Sequence, residues 1–200
     1  MDAAEAFFKG LKEALLPAEM SGRASEGFRP AGVLVPLCVV NGEIRVVLAH
    51  RTERVPHHKG QICFPGGSRD PKDNNLYETA LREAQEELGI RPGDVEFLGA
   101  MAPVLTVTGF FIQPFVGRIP SNSSFVADDF EIADTFEAPL STFTDFSKYR
   151  AAETTFRGKP YRVYFLDYGR YAIWGATAYI LRCLAEIARG LPAYGLTDPG

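Results

Sequence analysis

Three features of the sequence predict an α/β fold, with a mixed β-sheet held between helical layers. The first is a segment from Tyr77 to Leu88 whose apolar and acidic residues sort onto separate helical faces. The second is the apolar run Ile62-Cys63-Phe64, closed by Pro65-Gly66-Gly67 shortly before that segment. The third is a series of short strand-like runs on either side, ended by another helical pattern near the C-terminus.

In chain order, Phe7, Phe8, Leu11, Leu15 and Leu16 read as an amphipathic helix over about residues 3–16. A Gly- and Ser-containing loop, Gly22 to Gly27, follows it. Gly32 to Val40 reads as a largely buried strand, in which Pro36 calls for a bulge or a sheet edge. Asn41-Gly42 is the strongest hairpin signal of the chain, with Glu43 to Ala49 as the return strand. Further strands are expected at Val95–Ala100, Phe110–Val116, Thr135–Ala138 and Tyr161–Leu166. The last element, Trp174 to Arg189, carries Ile180, Leu181, Leu184, Ile187 and Ala188 and reads as a helix stopping at Gly190. No repeat, low-complexity run or linker interrupts this order, so residues 1–200 are expected to form one domain.

The helix before Gly89 carries the chemistry. Arg82-Glu83-Ala84-Gln85-Glu86-Glu87-Leu88-Gly89 places three carboxylates within five positions. At roughly 100° per residue, Glu83, Glu86 and Glu87 share one stripe. Tyr77, Ala80, Leu81, Ala84 and Leu88 share another, the one expected to pack inward. Asn75 is placed to cap the N-terminus with Glu78 three residues on, and Gly89 to end the helix in a left-handed residue. Like charges three or four residues apart oppose a helix by roughly 0.2–0.5 kcal/mol per pair. A cation should offset that cost. Magnesium or manganese, which takes carboxylate oxygens together with water and substrate phosphate, is the obvious candidate. A solvated acidic face is the alternative, and the adjoining glycine turn argues against it.

These residues resemble the Nudix hydrolase signature. It runs glycine, five residues, glutamate, seven residues, Arg-Glu, an apolar residue, any residue, Glu-Glu, any residue, glycine and an apolar residue. Its second half is complete from Arg82 to Ile90, so the box spans about residues 67–90. In the first half, five residues separate Gly67 from Asp73 and eight separate Asp73 from Arg82. That spacing resembles the coenzyme A pyrophosphatase branch. So do Gly60-Gln61-Ile62-Cys63-Phe64-Pro65-Gly66-Gly67, Thr108-Gly109-Phe110 and Trp174-Gly175-Ala176-Thr177-Ala178. The arginine usual in the branch four residues before Gly60 is Pro56 here, with Arg54 or Lys59 as the residues that could do its work.

The resemblance implies a Nudix-type α/β/α sandwich and metal-dependent hydrolysis of coenzyme A or its derivatives. The products would be adenosine 3',5'-bisphosphate and 4'-phosphopantetheine or its acyl form. The rival reading keeps the chemistry and changes the substrate to another nucleoside diphosphate derivative, such as ADP-ribose or a dinucleotide. A non-catalytic nucleotide sensor is a further rival, disfavoured because every box glutamate is present.

Residue types assign the roles. Glu83, Glu86 and Glu87 are the expected ion ligands, joined by the Gly67 carbonyl that the resemblance adds. By the same resemblance, Arg82 orients a box glutamate. The general base is either a box glutamate or a carboxylate from the loop Asp128-Asp129-Phe130-Glu131, where Glu131 is the candidate. Phosphate recognition is expected from the basic run His50, Arg51, Arg54, His57, His58 and Lys59, with Arg69 beyond it. Phe110 could bring an aromatic platform to the adenine or the pantetheine arm, with core packing as the alternative. Trp174 is expected to anchor the last helix by packing, with stacking on a base as the alternative.

Composition bounds the remaining choices. A net charge of −4 lends no support to generic nucleic-acid or membrane-surface binding. No apolar run approaches the roughly 20 residues that cross a bilayer. Met1-Asp2-Ala3-Ala4-Glu5 lacks the basic start of a secretory signal. Cys38, Cys63 and Cys183 are an odd set without ligand spacing, as expected of buried thiols in a reducing cytoplasm. The expected partner is a small nucleotide substrate, with a homodimer admitted beside a monomer.

Overall fold

The structure, a computed structural model, describes residues 2–17, 27–55, 58–121 and 123–191. Helix α1 (Ala3–Ala14) buries Ala4, Phe7, Phe8 and Leu11. It stops short of Leu16, which instead exchanges two backbone hydrogen bonds with Ala100. Strands β1 (Arg29–Val40) and β2 (Glu43–Arg51) form the expected hairpin. Asn41 and Gly42 both take positive φ, 52° and 79°, as a primed two-residue turn requires. Then come β3 (Ile62–Cys63), β4 (Gly66–Ser68) and helix α2 (Leu76–Leu88). Strands β5 (Glu96–Ala100), β6 (Val104–Leu105), β7 (Phe110–Arg118) and β8 (Ile132–Pro139) follow. The described chain closes with β9 (Arg150–Phe156), β10 (Lys159–Tyr168), β11 (Tyr171–Trp174) and helix α3 (Gly175–Arg189).

The main sheet has eight strands among the described residues, with the spine β3-β2-β1-β7-β5. Beside that spine β4 pairs with β1, β6 with β7 and β8 with β2. The β1–β7 pair is parallel and the others are antiparallel, so the sheet is mixed. Alternate residues of β1 and β2 serve two cores, as the two-residue period of a strand requires. Leu34, Cys38, Val47 and Ala49 pack with Ala80, Ala84 and Leu88 of α2. Val35, Leu37, Val46 and Leu48 pack on the other side with α1 and with Leu181 and Leu184 of α3. Helices therefore cover both faces, an α/β/α arrangement.

A second sheet, β11-β10-β9, adjoins the first. It is tied to it where the Tyr161 hydroxyl donates to the Leu105 carbonyl at 3.0 Å, and β11 packs against β3.

Several expectations need correction. Pro36 lies at neither an edge nor a bulge: β1 is an interior strand. The missing N–H falls between the stretch paired with β4 (Ala31–Val33) and the stretch paired with β2 (Leu37–Val40). Gly66–Ser68, read in the sequence as part of a glycine turn, is a short strand, because its backbone pairs with β1. Strands β9 and β11, unseen in the sequence, form by pairing with β10. On α2, Leu81 is only partly buried, while Thr79 and Glu87 are buried. Gly22 to Ser25 and Glu26 of the expected loop lie outside the described residues. No helix among the described residues is long and apolar enough to cross a membrane.

Candidate active site

The site begins with a parting of two strands. β2 pairs with β1 at Glu43–Val46 and with β3 at Ala49–His50, while β1 passes from β2 to β4. Phe64-Pro65 crosses the gap, and the Pro65 carbonyl accepts from the Leu34 N–H at 2.9 Å. The crossing sets Gly66–Ser68 alongside β1 and against α2. Close approach decides two residue types here. A Cβ on Gly32 would overlap the Leu76 carbonyl, and a Cβ on Gly67 would stand 2.5 Å from the Glu83 carboxylate.

Helix α2 has well-defined ends. The Asn75 side chain accepts from the Glu78 N–H at 2.9 Å, and Gly89 adopts φ 70°. The return half of the expected capping box goes one residue earlier: Glu78 accepts from the Asn74 N–H and side-chain amide.

These ends hold the acidic stripe in register with the glycine turn. Glu87, only 4% exposed, accepts from the Gly66 N–H at 3.0 Å and from Arg51 Nη1 at 2.6 Å. The other guanidinium nitrogen of Arg51 pairs with Glu131 at 2.8 Å. Arg51 thus bridges a buried box glutamate and the carboxylate of a distant loop. Burial pushes the Glu87 carboxyl up to about 7, even with Arg51 beside it. Burial also raises the Glu83 carboxyl.

Arg82 reaches several acids at once. Its Nη1 donates to Glu83 at 2.8 Å and to Glu86 at 3.0 Å. Its Nε and Nη2 each meet Asp73 at 3.1 Å, in a bidentate pair. Asp73, itself buried, also accepts from the Thr79 hydroxyl at 2.8 Å and the Asp70 N–H at 3.0 Å. The Arg82 hydrogen bonds are the main reason its carboxyl is held at about 2.

Arg51 and Arg82 bring positive charge to the acidic stripe, Arg51 to Glu87 and Arg82 to Glu83 and Glu86. Among the described residues, no three or more His, Cys, Asp or Glu side chains are gathered as an ion cage. The donor chemistry still suits a hard ion. Glu83 and Glu87 are oxygen donors one turn apart, and the missing side chain of Gly67 lets the Glu83 carboxylate lie directly against the glycine backbone.

The remaining expected residues divide sharply. Arg51, His58, Phe110 and Glu131 line one cavity of about 450 Å³ together with Gly66 and Gly67. The Phe110 ring lies under the Arg29 guanidinium, 4.1 Å from its centroid. Glu86 is 59% exposed at its side chain and touches Arg82, so the structure leaves it outside the convergence. Arg54 donates to the Asp129 carbonyl, and Arg69 to the carbonyls of Asp73 and Asn74. Both side chains, like exposed Lys59, lie off the cavity lining. His50 packs edge-on to Tyr171. His57 and Pro56 lie outside the described residues.

Trp174 overturns its expected role. It is 44% exposed, stacks on Phe165 and lines the cavity rather than anchoring the core. Thr177, from the motif Trp174–Ala178, lines the same cavity, and sequence reasoning missed Tyr161, Val163 and Ile180 beside it. No local signal marks them, since the folding-over of the second sheet brings them there.

Comparison with known proteins settles the family. The NUDIX domain family matches residues 28–152, more than half of the chain. The chain belongs to the Nudix hydrolase superfamily. This Nudix hydrolase is 43% identical over 157 residues to the uncharacterized Nudix hydrolase NudL of Citrobacter koseri, covering 78% of this chain and 81% of that one. It is 39% identical over 164 residues to the NudL of Photorhabdus laumondii, covering 82% and 87%. Its fold is similar to the crystal structure of a Nudix hydrolase from Alicyclobacillus acidocaldarius. That likeness has a TM-score of 0.52 at 16% identity, over 80% of this chain and 91% of the other. The family match stops at residue 152, so β10, β11 and α3 lie beyond it.

Proposed function

We propose that this Nudix hydrolase is a magnesium- or manganese-dependent pyrophosphatase acting on coenzyme A and its derivatives. It would release adenosine 3',5'-bisphosphate and 4'-phosphopantetheine, or the acylated form of the latter. One observation carries the reading: Arg51, Glu131 and the glycine turn open onto a single cavity that continues along an apolar wall. Such a shape suits a diphosphate at one end and a long, weakly polar arm along the other. The branch-like flanks of the box support the same substrate. In this reading the elements beyond the family match belong to the same domain, since Tyr161, Val163 and Ile180 help to enclose the cavity.

Glu83 and Glu87 would hold the ion, with the Gly67 carbonyl beside them and Glu86 at the solvent side. When bound, the ion supplies charge neutralisation on the diphosphate and a more acidic water. Arg82 keeps the Glu83 carboxylate turned toward the glycine turn through the 2.8 Å contact. Arg51 holds Glu87 and Glu131 in a fixed relation, and Glu131, 41% exposed at its side chain, or a box glutamate would take the proton of the attacking water. Phe110 presents an aromatic surface on the cavity wall for the base or the arm.

The test is a substrate panel with manganese or magnesium, read by mass spectrometry. Coenzyme A, ADP-ribose and a dinucleoside polyphosphate would be compared at equal concentration. Preferential conversion of coenzyme A to the two named products is expected. Cleavage of ADP-ribose or the dinucleotide with coenzyme A left intact would overturn the substrate assignment and retain the chemistry.

A further inference from the structure

Arg29 stands at the rim of the cavity without the acidic partners that occupy other arginines. It opens β1, and Ala31 and Val33, two and four residues on, line the cavity. Alternate residues of a strand share a face, so Arg29 lies one step beyond that lining. Its opposite number on β7 is Phe110, itself in the lining, and the exposed guanidinium lies over the Phe110 ring. Among the described residues no carboxylate pairs with it, and Nη2 donates to the Thr108 carbonyl at 3.4 Å. Arg51, Arg82 and Arg118, by contrast, each meet two or more carboxylates.

A cation–π contact uses the flat face of a guanidinium, whereas its hydrogen bonds leave from the edge. The Phe110 ring therefore holds Arg29 in place while most of its five N–H donors stay open. The surroundings are fixed as well. The Arg29 N–H donates to the Gly109 carbonyl at 2.8 Å, and the Thr106 hydroxyl accepts from the Phe110 N–H at 3.0 Å. Thr106 and Thr108 both line the cavity, with their hydroxyls 2.9 Å apart. Arg157 repeats the pattern next to it. Its guanidinium lies 4.3 Å over the Phe28 ring and donates to the Gly27 carbonyl at 3.1 Å, again with no carboxylate partner among the described residues. Arg157 holds this place from a left-handed backbone, φ 50°, which a long side chain rarely adopts.

From these placements we propose that Arg29, with Arg157 beside it, forms a subsite for a phosphate monoester, and that its occupant is the 3'-phosphate on the ribose of coenzyme A. The subsite rests on the coenzyme A reading above and supplies recognition for a charged group that the box does not reach. Spacing decides the occupant. Gly67 pairs with Gly32, and Arg29 stands three residues back along β1, roughly 10 Å away at about 3.3 Å per residue. A diphosphate seated at Gly67 ends short of that point. A phosphate on the far side of the attached ribose extends toward it, and the arginine side chain spans the remainder. The monoester oxygens would take the open edge of Arg29 in a charge-assisted pairing, with the two threonine hydroxyls alongside. Arg29 acts on substrate choice and carries no part of the hydrolysis.

The experiment compares coenzyme A with 3'-dephospho-coenzyme A by kcat/KM in the presence of manganese. Independently of turnover, calorimetric titration compares adenosine 3',5'-bisphosphate with adenosine 5'-monophosphate. The wild-type protein should favour the 3'-phosphorylated member of each pair by about tenfold or more, the usual worth of a hydrogen bond between charged groups. Arg29→Gln, at an exposed position that tolerates substitution, should bring both ratios close to one. Arg29→Lys, which keeps the charge and loses the flat stack, should leave intermediate ratios, and Arg157→Gln should lower them by a smaller factor. Equal use of both members by the wild type would overturn the subsite and leave the coenzyme A reading standing. So would ratios unmoved by Arg29→Gln. Cleavage of neither coenzyme A form, with ADP-ribose cleaved, would instead overturn the coenzyme A reading itself.

Discussion

Helices α2 and α3 belong to the two separate cores of the molecule, and they bring different material to them. Helix α3 buries Ala178, Ile180, Leu181, Leu184, Ala185 and Ala188, and no side chain caps its N-terminus. Helix α2 buries Ala80, Ala84 and Leu88 but also Thr79 and Glu87, and it is capped at both ends. Apolar burial is strong and non-directional, so it fixes that α3 packs without fixing each atom. Hydrogen bonds and ion pairs are directional, so α2 delivers its carboxylates to a defined place beside Gly66 and Gly67. One helix secures the fold and the other aims the site.

That contrast can be broken by substitution. Glu87→Gln should lower turnover by about two to three orders of magnitude, as removal of a transition-state charge group does. The circular dichroism spectrum should stay that of the wild type. A near-normal rate would remove Glu87 from the chemistry. Leu184→Ala should cost about 2–5 kcal/mol of stability in a denaturant titration. Its turnover per folded molecule should be preserved; a selective loss of rate would mean that α3 aims the site as well. Asn75→Ala should cost only about 1 kcal/mol, the usual worth of an N-cap. An unchanged denaturation midpoint would show that sheet packing alone holds the start of α2.

The smallest effect concerns pH. Asp73 titrates at about 2 when folded, below its ordinary value of 3.8, because Arg82 and Thr79 hold the ionised form. Its contribution to stability is therefore complete above about pH 4 and fades as the pH falls toward 2. The stability difference between the wild type and Asp73→Asn should shrink across that interval in acid titrations followed by fluorescence. A constant difference would assign Asp73 a role independent of its charge.

Helix α2 was legible in the sequence because its caps and faces are local: Asn75, Glu78 and Gly89 act within a few residues of one another. The Asn41-Gly42 hairpin was legible for the same reason. Strand β4 was not, since Gly66 and Gly67 have no side chains to show a period, and the β1 backbone alone makes that segment a strand. The bridging of Glu87 and Glu131 by Arg51 was also hidden, because the three residues are far apart in sequence and meet only across the parted strands. Arg54 and Arg69 carry the right charge for phosphate, yet their guanidinium groups are taken up by backbone carbonyls that no spacing rule reveals. Trp174 misled for a simpler reason: large aromatic residues are usually well buried, and this one faces a cavity.

The proposed function requires Glu83 and Glu87 to gather a divalent ion beside Gly67 for diphosphate hydrolysis. A manganese-soaked crystal examined by anomalous scattering tests it most directly. A peak is expected within coordination distance, about 2.0–2.3 Å, of carboxylate oxygens of Glu83 and Glu87. An anomalous map from a well-ordered, fully soaked crystal with no peak between Gly67 and those two carboxylates would contradict it.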